Sequence, residues 1–120
     1  MNKNWFKTIN INDVSPDGSI AIKYKTAQIA LYNLKNKTEW FATQNLCPHK
    51  QLMLLGRGLV GDHDGEPKVV CPMHKNTFSL KTGVNLNGDQ CSLITYEVKI
   101  EDDFVYINLP ENSNEIPGHS

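Results

Sequence analysis

The strongest constraint on the fold of this chain is a pair of short motifs that each hold one cysteine and one histidine. The first motif, Cys-Pro-His, spans residues 47–49, and the second, Cys-Pro-Met-His, spans residues 71–74. Thiolates and imidazoles are ligands for zinc ions and for iron–sulfur clusters in proteins. The sequence therefore predicts that two proline-containing loops meet at one end of a β-structure and present four ligands, which are Cys47, His49, Cys71 and His74.

Two kinds of metal centre suit two cysteines and two histidines. A single zinc ion takes these four ligands tetrahedrally. A Rieske [2Fe–2S] cluster uses them differently, because one iron binds both cysteines and the other iron binds both histidines. Zinc fingers pair cysteine with cysteine and histidine with histidine along the chain, whereas here each motif supplies one of each. The interleaved order favours the iron–sulfur cluster, and a nucleophilic Cys–His pair would leave the second motif unexplained.

Alternation of apolar and polar residues with a period of two predicts strands along most of the chain. One alternating segment spans residues 20–25, and a second spans residues 93–109, where the polar break at 101–103 predicts a hairpin. Further strands are expected at residues 5–11, 28–34, 39–43, 68–70 and 77–80. Many short strands with frequent turns predict an all-β fold, a sandwich or small barrel.

Length and charge narrow the class of protein further. The 120 residues are enough for one domain, which we expect to span residues 1–110, with residues 111–120 forming a polar, mobile tail. A net charge of −1 provides no general attraction to nucleic acid or to anionic membranes. No stretch approaches the roughly 20 apolar residues that cross a bilayer, and the N-terminal residues lack the apolar segment of a signal peptide. These features predict a cytoplasmic protein.

The third cysteine, Cys91, stands alone just before a predicted strand. An odd number of cysteines in a chain without a secretion signal argues against a disulfide framework. We therefore interpret Cys91 as a small buried apolar residue and assign it no chemistry.

These motifs resemble the Rieske iron–sulfur family, over about residues 41–109. Within that family the chain is most similar to the small subunit of assimilatory NAD(P)H-dependent nitrite reductase. The features that support this narrower resemblance lie outside the ligands, at residues 55–59, 65–66, 74–75, 78–80 and 82–83. The ligand pattern is fairly specific for the family, and the other features are moderately specific for the small subunits.

The resemblance implies a fold, a cofactor, a partner and a role. The fold would be a Rieske-like antiparallel β sandwich or barrel with a two-loop cluster-binding subdomain. The four ligands would hold a Rieske [2Fe–2S] cluster. The partner would be a large subunit with flavin and siroheme that reduces nitrite to ammonium with electrons from a reduced nicotinamide. The present chain would transfer electrons within that complex and would not itself be the catalyst. Two alternatives stay open: a free-standing Rieske ferredoxin of an oxygenase system, and a non-redox interaction subunit whose site is empty or holds zinc.

The resemblance also implies a redox potential. High-potential Rieske domains have a cysteine pair that links the two loops and hydroxyl groups close to the cluster sulfurs. The corresponding regions of this chain offer Leu52 or nearby residues and Met73, with no cysteine, and Asn76 and Phe78 stand in place of the hydroxyl residues. Fewer hydroxyl donors stabilise the reduced cluster less. The sequence therefore predicts a potential near the low end of the Rieske range of about −150 to +300 mV.

Overall fold

The computed structural model describes residues 4–34, 37–47, 52–53, 59–63, 66–71, 77–87 and 92–117. In these ranges the strands are β1 (Trp5–Asn10), β2 (Ser19–Tyr24), β3 (Ala27–Leu34), β4 (Glu39–Gln44), β5 (Leu46–Cys47), β6 (Leu52–Met53), β7 (Leu59–His63), β8 (Glu66–Val70), β9 (Thr77–Ser79), β10 (Thr95–Tyr96), β11 (Val98–Glu101) and β12 (Phe104–Asn108). Two 3₁₀ turns, Ile11–Asp13 and Ser113–Glu115, complete the described elements. All strand pairs among these elements are antiparallel. The predicted all-β fold is confirmed, and no described helix is long and apolar enough to cross a lipid bilayer.

A four-stranded sheet in the order β10-β4-β3-β2 forms the middle layer of the molecule. Strand β3 is buried on both faces of this sheet, and only Gln28 among its eight residues is partly exposed. Successive side chains of a strand point to opposite faces. Ile29 therefore packs into one core, and Tyr32 packs into another. A strand that is covered on both faces has a nearly continuous apolar sequence, and the sequence of β3 is of this kind.

The first core lies between the middle sheet and a three-stranded sheet in the order β1-β12-β11. Its buried residues are Ile22, Tyr24, Ala27, Ile29, Leu31, Ala42, Val105, Ile107, Leu109 and Ile116. Burying one large aliphatic side chain of this kind contributes about 1.5–3 kcal/mol to folding. Apolar packing between these described side chains therefore holds the two sheets together.

The second core lies on the other face of the middle sheet, beneath a three-stranded sheet in the order β7-β8-β9. Its buried residues are Ala30, Tyr32, Leu34, Val69, Cys71, Phe78, Leu80 and Leu93. One of the four predicted ligands is therefore a member of an apolar core. This arrangement ties the position of the second Cys/His motif to the packing against β3.

The prediction of one continuous strand through residues 94–100 is wrong, because the chain passes from one sheet to another at Glu97. Strand β10 pairs with β4 in the middle sheet, whereas β11 pairs with β12 in the outer sheet. Ile94 and Ile100, which the alternation placed on a buried face, are 45% and 39% exposed. The period of two continues through a change of sheet, so the sequence pattern does not reveal it. The predicted hairpin is confirmed for β11 and β12.

The C-terminal residues 111–117 pack against the first core. Ile116 is fully buried there, and the hydroxyl oxygens of Thr26 and Ser113 lie 2.7 Å apart in a hydrogen bond. A single apolar residue in a polar segment has no periodic signal, which is why the sequence predicts a tail at this point. The domain boundary at residue 110 and the mobile tail beyond it stay predictions.

Candidate metal centre

The first Cys/His motif begins where the first strand of a short β-hairpin ends. Cys47 is the last residue of β5, and it pairs with Leu52, the first residue of β6. The four residues 48–51, which include His49, connect these two positions. The backbone of Cys47 is therefore anchored in a strand pair at the start of the motif. The side chain of Cys47 and the whole of His49 lie outside the described residues.

The second motif has the same relation to its strands. Cys71 directly follows β8, and the residue before it, Val70, pairs with Thr77 at the start of β9. The side chain of Cys71 is fully buried in the second core, in a cluster that includes Val69 and Phe78. Both cysteines therefore stand at the end of a strand, with a histidine two or three residues further along and a return strand after it. His74 lies outside the described residues.

The ligand set as a whole stays a prediction. Among the described side chains no three Cys, His, Asp or Glu residues lie close enough together to hold a metal ion. Of the four predicted ligands, Cys71 is the one whose side chain belongs to that described part. Cys91, which we expected to be buried, lies outside it.

A Rieske cluster needs two thiolates and two imidazoles, which is the donor set of the two motifs in the sequence. Of these four donors the structure describes the side chain of Cys71, and its surroundings fit such a group. The apolar shell around a metal site controls the access of water. Cys71 has a shell of this kind, because its side chain is buried in the second core alongside Leu80 and Leu93.

Two buried polar residues lie where the chain leaves β4 and enters the first hairpin. Gln44 is 3% exposed and Asn45 is 2% exposed. The Gln44 side-chain Nε2 donates to the carbonyl oxygen of Leu46 at 2.8 Å. The Asn45 backbone N–H donates to the Gln28 carbonyl oxygen at 3.3 Å, and its side-chain Nδ2 donates to Gln28 Oε1 at 2.8 Å. These amides fix the path of the backbone just before Cys47.

Reasoning from the sequence missed both residues. Gln44 and Asn45 belong to no motif, and polar residues at the end of an alternating strand are usually solvent-exposed. Only the three-dimensional contacts with Gln28 and with the segment before β10 show that they are buried. Their position three and two residues before Cys47 is the one signal that could have drawn attention to them.

Comparison with known families identifies the class of protein. The Rieske-like [2Fe-2S] domain family matches residues 4–108, which is most of the chain. The chain belongs to this family, and its cofactor class is the [2Fe–2S] cluster. The predicted family and the predicted cofactor are thereby confirmed.

Individual relatives narrow the comparison. The chain is 28% identical over 103 residues to the nitrite reductase (NADH) small subunit of Escherichia coli K12, covering 86% of this chain and 95% of that protein. It is 38% identical over 97 residues to the nitrite reductase [NAD(P)H] of Emericella nidulans, covering 77% of this chain but 9% of that protein. The NMR structure of the E. coli protein NirD has a TM-score of 0.81 at 26% identity, covering 92% of this chain and 100% of that chain.

Ferredoxins also resemble this chain, with lower structural similarity. The ferredoxin of Sphingomonas yanoikuyae B1 is 32% identical, has a TM-score of 0.71 and covers 89% of this chain and 100% of its own. Sequence identity therefore does not separate the two classes, whereas similarity of the backbone favours the nitrite reductase small subunits. The predicted likeness to those small subunits is confirmed.

Proposed function

We propose that this chain is the electron-transfer small subunit of an NAD(P)H-dependent nitrite reductase that reduces nitrite to ammonium. The observation that carries this proposal is the pair of matching hairpins, each with a cysteine at the end of a strand. They occur in a chain that aligns with 95% of a named small subunit. The chain supplies the cluster site, and the catalytic reduction takes place on another subunit.

The proposed cluster ligands are the four motif residues. Cys47 and Cys71 would supply the two thiolate ligands and His49 and His74 the two imidazole ligands of the cluster. When bound, the cluster accepts and releases one electron at a time. The protein contributes a fixed position for each cysteine at the end of a strand, and it excludes water from the buried side of Cys71.

The proposed partner is the large nitrite reductase subunit with flavin and siroheme. The Emericella relative supports such a partner, because there the segment similar to this chain is part of a much longer nitrite reductase. The Klebsiella oxytoca nitrite reductase large subunit supports it as well, because this chain matches 11% of that protein. A domain that occurs both as a separate subunit and inside a larger chain is expected to contact the same catalytic parts in both. We place the complex in the cytoplasm, where reduced nicotinamide nucleotides are available.

The first experiment is to purify the chain without oxygen and to measure its iron content, visible spectrum and reduced-state EPR signal. We expect about two irons per chain and a Rieske-type EPR signal. A folded, colourless protein that contains zinc or no metal would support the interaction-subunit alternative and contradict the proposed cofactor.

The second experiment tests the role of the chain in nitrite reduction. The complex is reconstituted from the large subunit and either the wild-type chain, Cys71→Ser or the control Cys91→Ser, which makes the same change outside both motifs. We expect Cys71→Ser to lose the cluster and the nicotinamide-dependent reduction of nitrite, and Cys91→Ser to retain both. Full activity of a folded Cys71→Ser complex would refute electron transfer through this chain. If Cys71→Ser does not fold, Cys47→Ser serves the same purpose.

The ferredoxin alternative predicts a different result in the same preparation. A free-standing ferredoxin would be reduced by a separate reductase and would not associate with a nitrite reductase large subunit. Size-exclusion chromatography of the mixed subunits distinguishes the two. Co-elution supports the proposal, and separate elution of two folded, cofactor-loaded proteins contradicts it.

A further inference from the structure

The two ligand hairpins belong to different sheets, so their separation depends on the contacts between them. The first hairpin consists of β5 and β6, and the second consists of β8 and β9. A cluster that takes one cysteine and one histidine from each hairpin requires a fixed separation between them. The chain has three cysteines, and neither hairpin contains one besides Cys47 and Cys71, so no second cysteine pair is available to link the hairpins. Non-covalent contacts must therefore hold the hairpins in place.

Gln44 joins the first hairpin to the segment that precedes β10. Its backbone N–H donates to the carbonyl oxygen of Ile94 at 3.2 Å. The Ile94 N–H donates in return to the side-chain Oε1 of Gln44 at 3.1 Å. The Nε2 of the same side chain donates to the carbonyl oxygen of Leu46, the residue before Cys47. One buried side-chain amide therefore connects Ile94 to the start of the first hairpin.

Leu93, the residue before Ile94, joins the same segment to the second hairpin. The N–H of Leu93 donates to the carbonyl oxygen of Gly83 at 2.7 Å, and the N–H of Gly83 donates to the carbonyl oxygen of Ser79 at 2.8 Å. Ser79 is the last residue of β9, the return strand of the second hairpin. Leu93 is buried in the same core as Cys71. Residues 93 and 94 are thus linked to both hairpins, Ile94 to the first through Gln44 and Leu93 to the second through Gly83.

We propose that Gln44 is a positioning residue for the iron–sulfur cluster, which it serves by holding the first ligand hairpin at a fixed place relative to the second. This role rests on the proposed cluster ligands. Gln44 is not one of the proposed ligands; its Oε1 accepts from the Ile94 N–H and its Nε2 donates to the Leu46 carbonyl oxygen. Its contribution is to keep the distance between Cys47 and Cys71 fixed, because residues 93–94 are linked to both hairpins. Groups that orient metal ligands from outside the coordination sphere change metal affinity by about 10–100-fold when they are removed.

The test compares two variants that each remove one buried amide. Gln44→Met keeps nearly the same side-chain volume and loses the hydrogen bonds of the amide to Ile94 and Leu46. The control is Asn33→Leu. Asn33 is fully buried, and its amide bonds to the backbone of Asp17, Ser15 and Gly18 near the opposite end of β3. Both variants lose buried hydrogen bonds, so general destabilisation affects both.

The measurements are the rate of cluster loss to an iron chelator, followed by visible absorbance without oxygen, and the EPR spectrum of the reduced protein. Each variant is compared with wild type at a temperature where its folded fraction is the same. For Gln44→Met we expect cluster loss about 10–100-fold faster with altered EPR line shapes. For Asn33→Leu we expect a rate within about twofold of wild type and an unchanged EPR spectrum, because distant sites act independently.

Two results would overturn this inference. One is a Gln44→Met protein with the cluster stability and EPR spectrum of wild type, and the other is equal acceleration in both variants. If Gln44→Met does not fold, Gln44→Glu against Asn33→Asp repeats the comparison. That change leaves an oxygen to accept from Ile94 and replaces the donor to Leu46. A wild-type protein without a cluster would instead count against the proposed cofactor site.

Discussion

Gly83 stands where the turn after β9 meets the segment before β10, and the sharpest prediction concerns its replacement by alanine. Its φ of +81° lies in the left-handed region that side chains disfavour. A Cβ atom built at this position would lie 2.0 Å from the carbonyl oxygen of Leu93 and 2.9 Å from its carbonyl carbon. Both contacts are with backbone, so the clash cannot be relieved by a side-chain rotation. The turn must open or Leu93 must move.

The magnitude follows from these two costs. The left-handed conformation costs a residue with a Cβ about 1–2 kcal/mol. Inserting a methyl group into a packed region costs about 1–3 kcal/mol. The reduced freedom of the unfolded chain offsets about 0.4–1 kcal/mol of this. We therefore expect Gly83→Ala to lower the free energy of unfolding by about 1–5 kcal/mol, a large part of the stability of a small domain.

The assay is equilibrium denaturation of the metal-free protein, followed by far-UV circular dichroism. The matched control is Gly61→Ala in β7, where an added Cβ meets no atom of the described residues within 4 Å. We expect that control to be neutral or to stabilise the protein by up to about 1 kcal/mol. Equal unfolding free energies for the two variants would refute the close approach of Gly83 to Leu93, and with it one step of the connection between the ligand hairpins.

Three further predictions concern other parts of the molecule. Burial raises the pKa of Tyr96 to about 12. Its hydroxyl therefore stays protonated to a higher pH in the folded state than in the unfolded state. The free energy of unfolding should fall as pH rises from about 10 through about 12. The Tyr96 hydroxyl has no hydrogen-bond partner in the described part of the chain; Tyr96→Phe should thus remove this pH dependence without loss at pH 7, and an unchanged pH profile of urea unfolding would contradict the shift. Ile116→Ala should cost about 2–5 kcal/mol in thermal or urea unfolding, whereas Leu86→Ala, at a side chain 46% exposed, should cost much less; similar losses would mean that the C-terminal segment does not pack as described. The midpoint potential of the cluster, measured by EPR-monitored titration, should lie near the low end of about −150 to +300 mV, since the family resemblance places Asn76 and Phe78 at the two hydroxyl positions and Phe78 is fully buried and apolar; a value above the middle of that range would refute the argument from missing donors.

The sequence by itself determined the local parts of this protein. Alternation located most of the strands to within two residues at each end, because the pleat of a strand repeats every two residues whatever it packs against. The spacing of the two Cys/His motifs, with their prolines, predicted two ligand loops and the family, since each motif spans only three or four consecutive residues. Cys47 and Cys71 accordingly stand where strands end.

Tertiary structure decided everything that depends on contacts distant in sequence. The change of sheet at Glu97 leaves the alternation unbroken, and the burial of Ile116 depends on one residue finding the first core. The link from Gln44 through Ile94 spans fifty residues. Gln44 is a glutamine like any other in the sequence, and only the folding of β4 beside that segment makes its amide a buried support for the first ligand hairpin. Contacts between residues so distant in sequence depend on how whole layers of the fold pack, and no local pattern of residues predicts them.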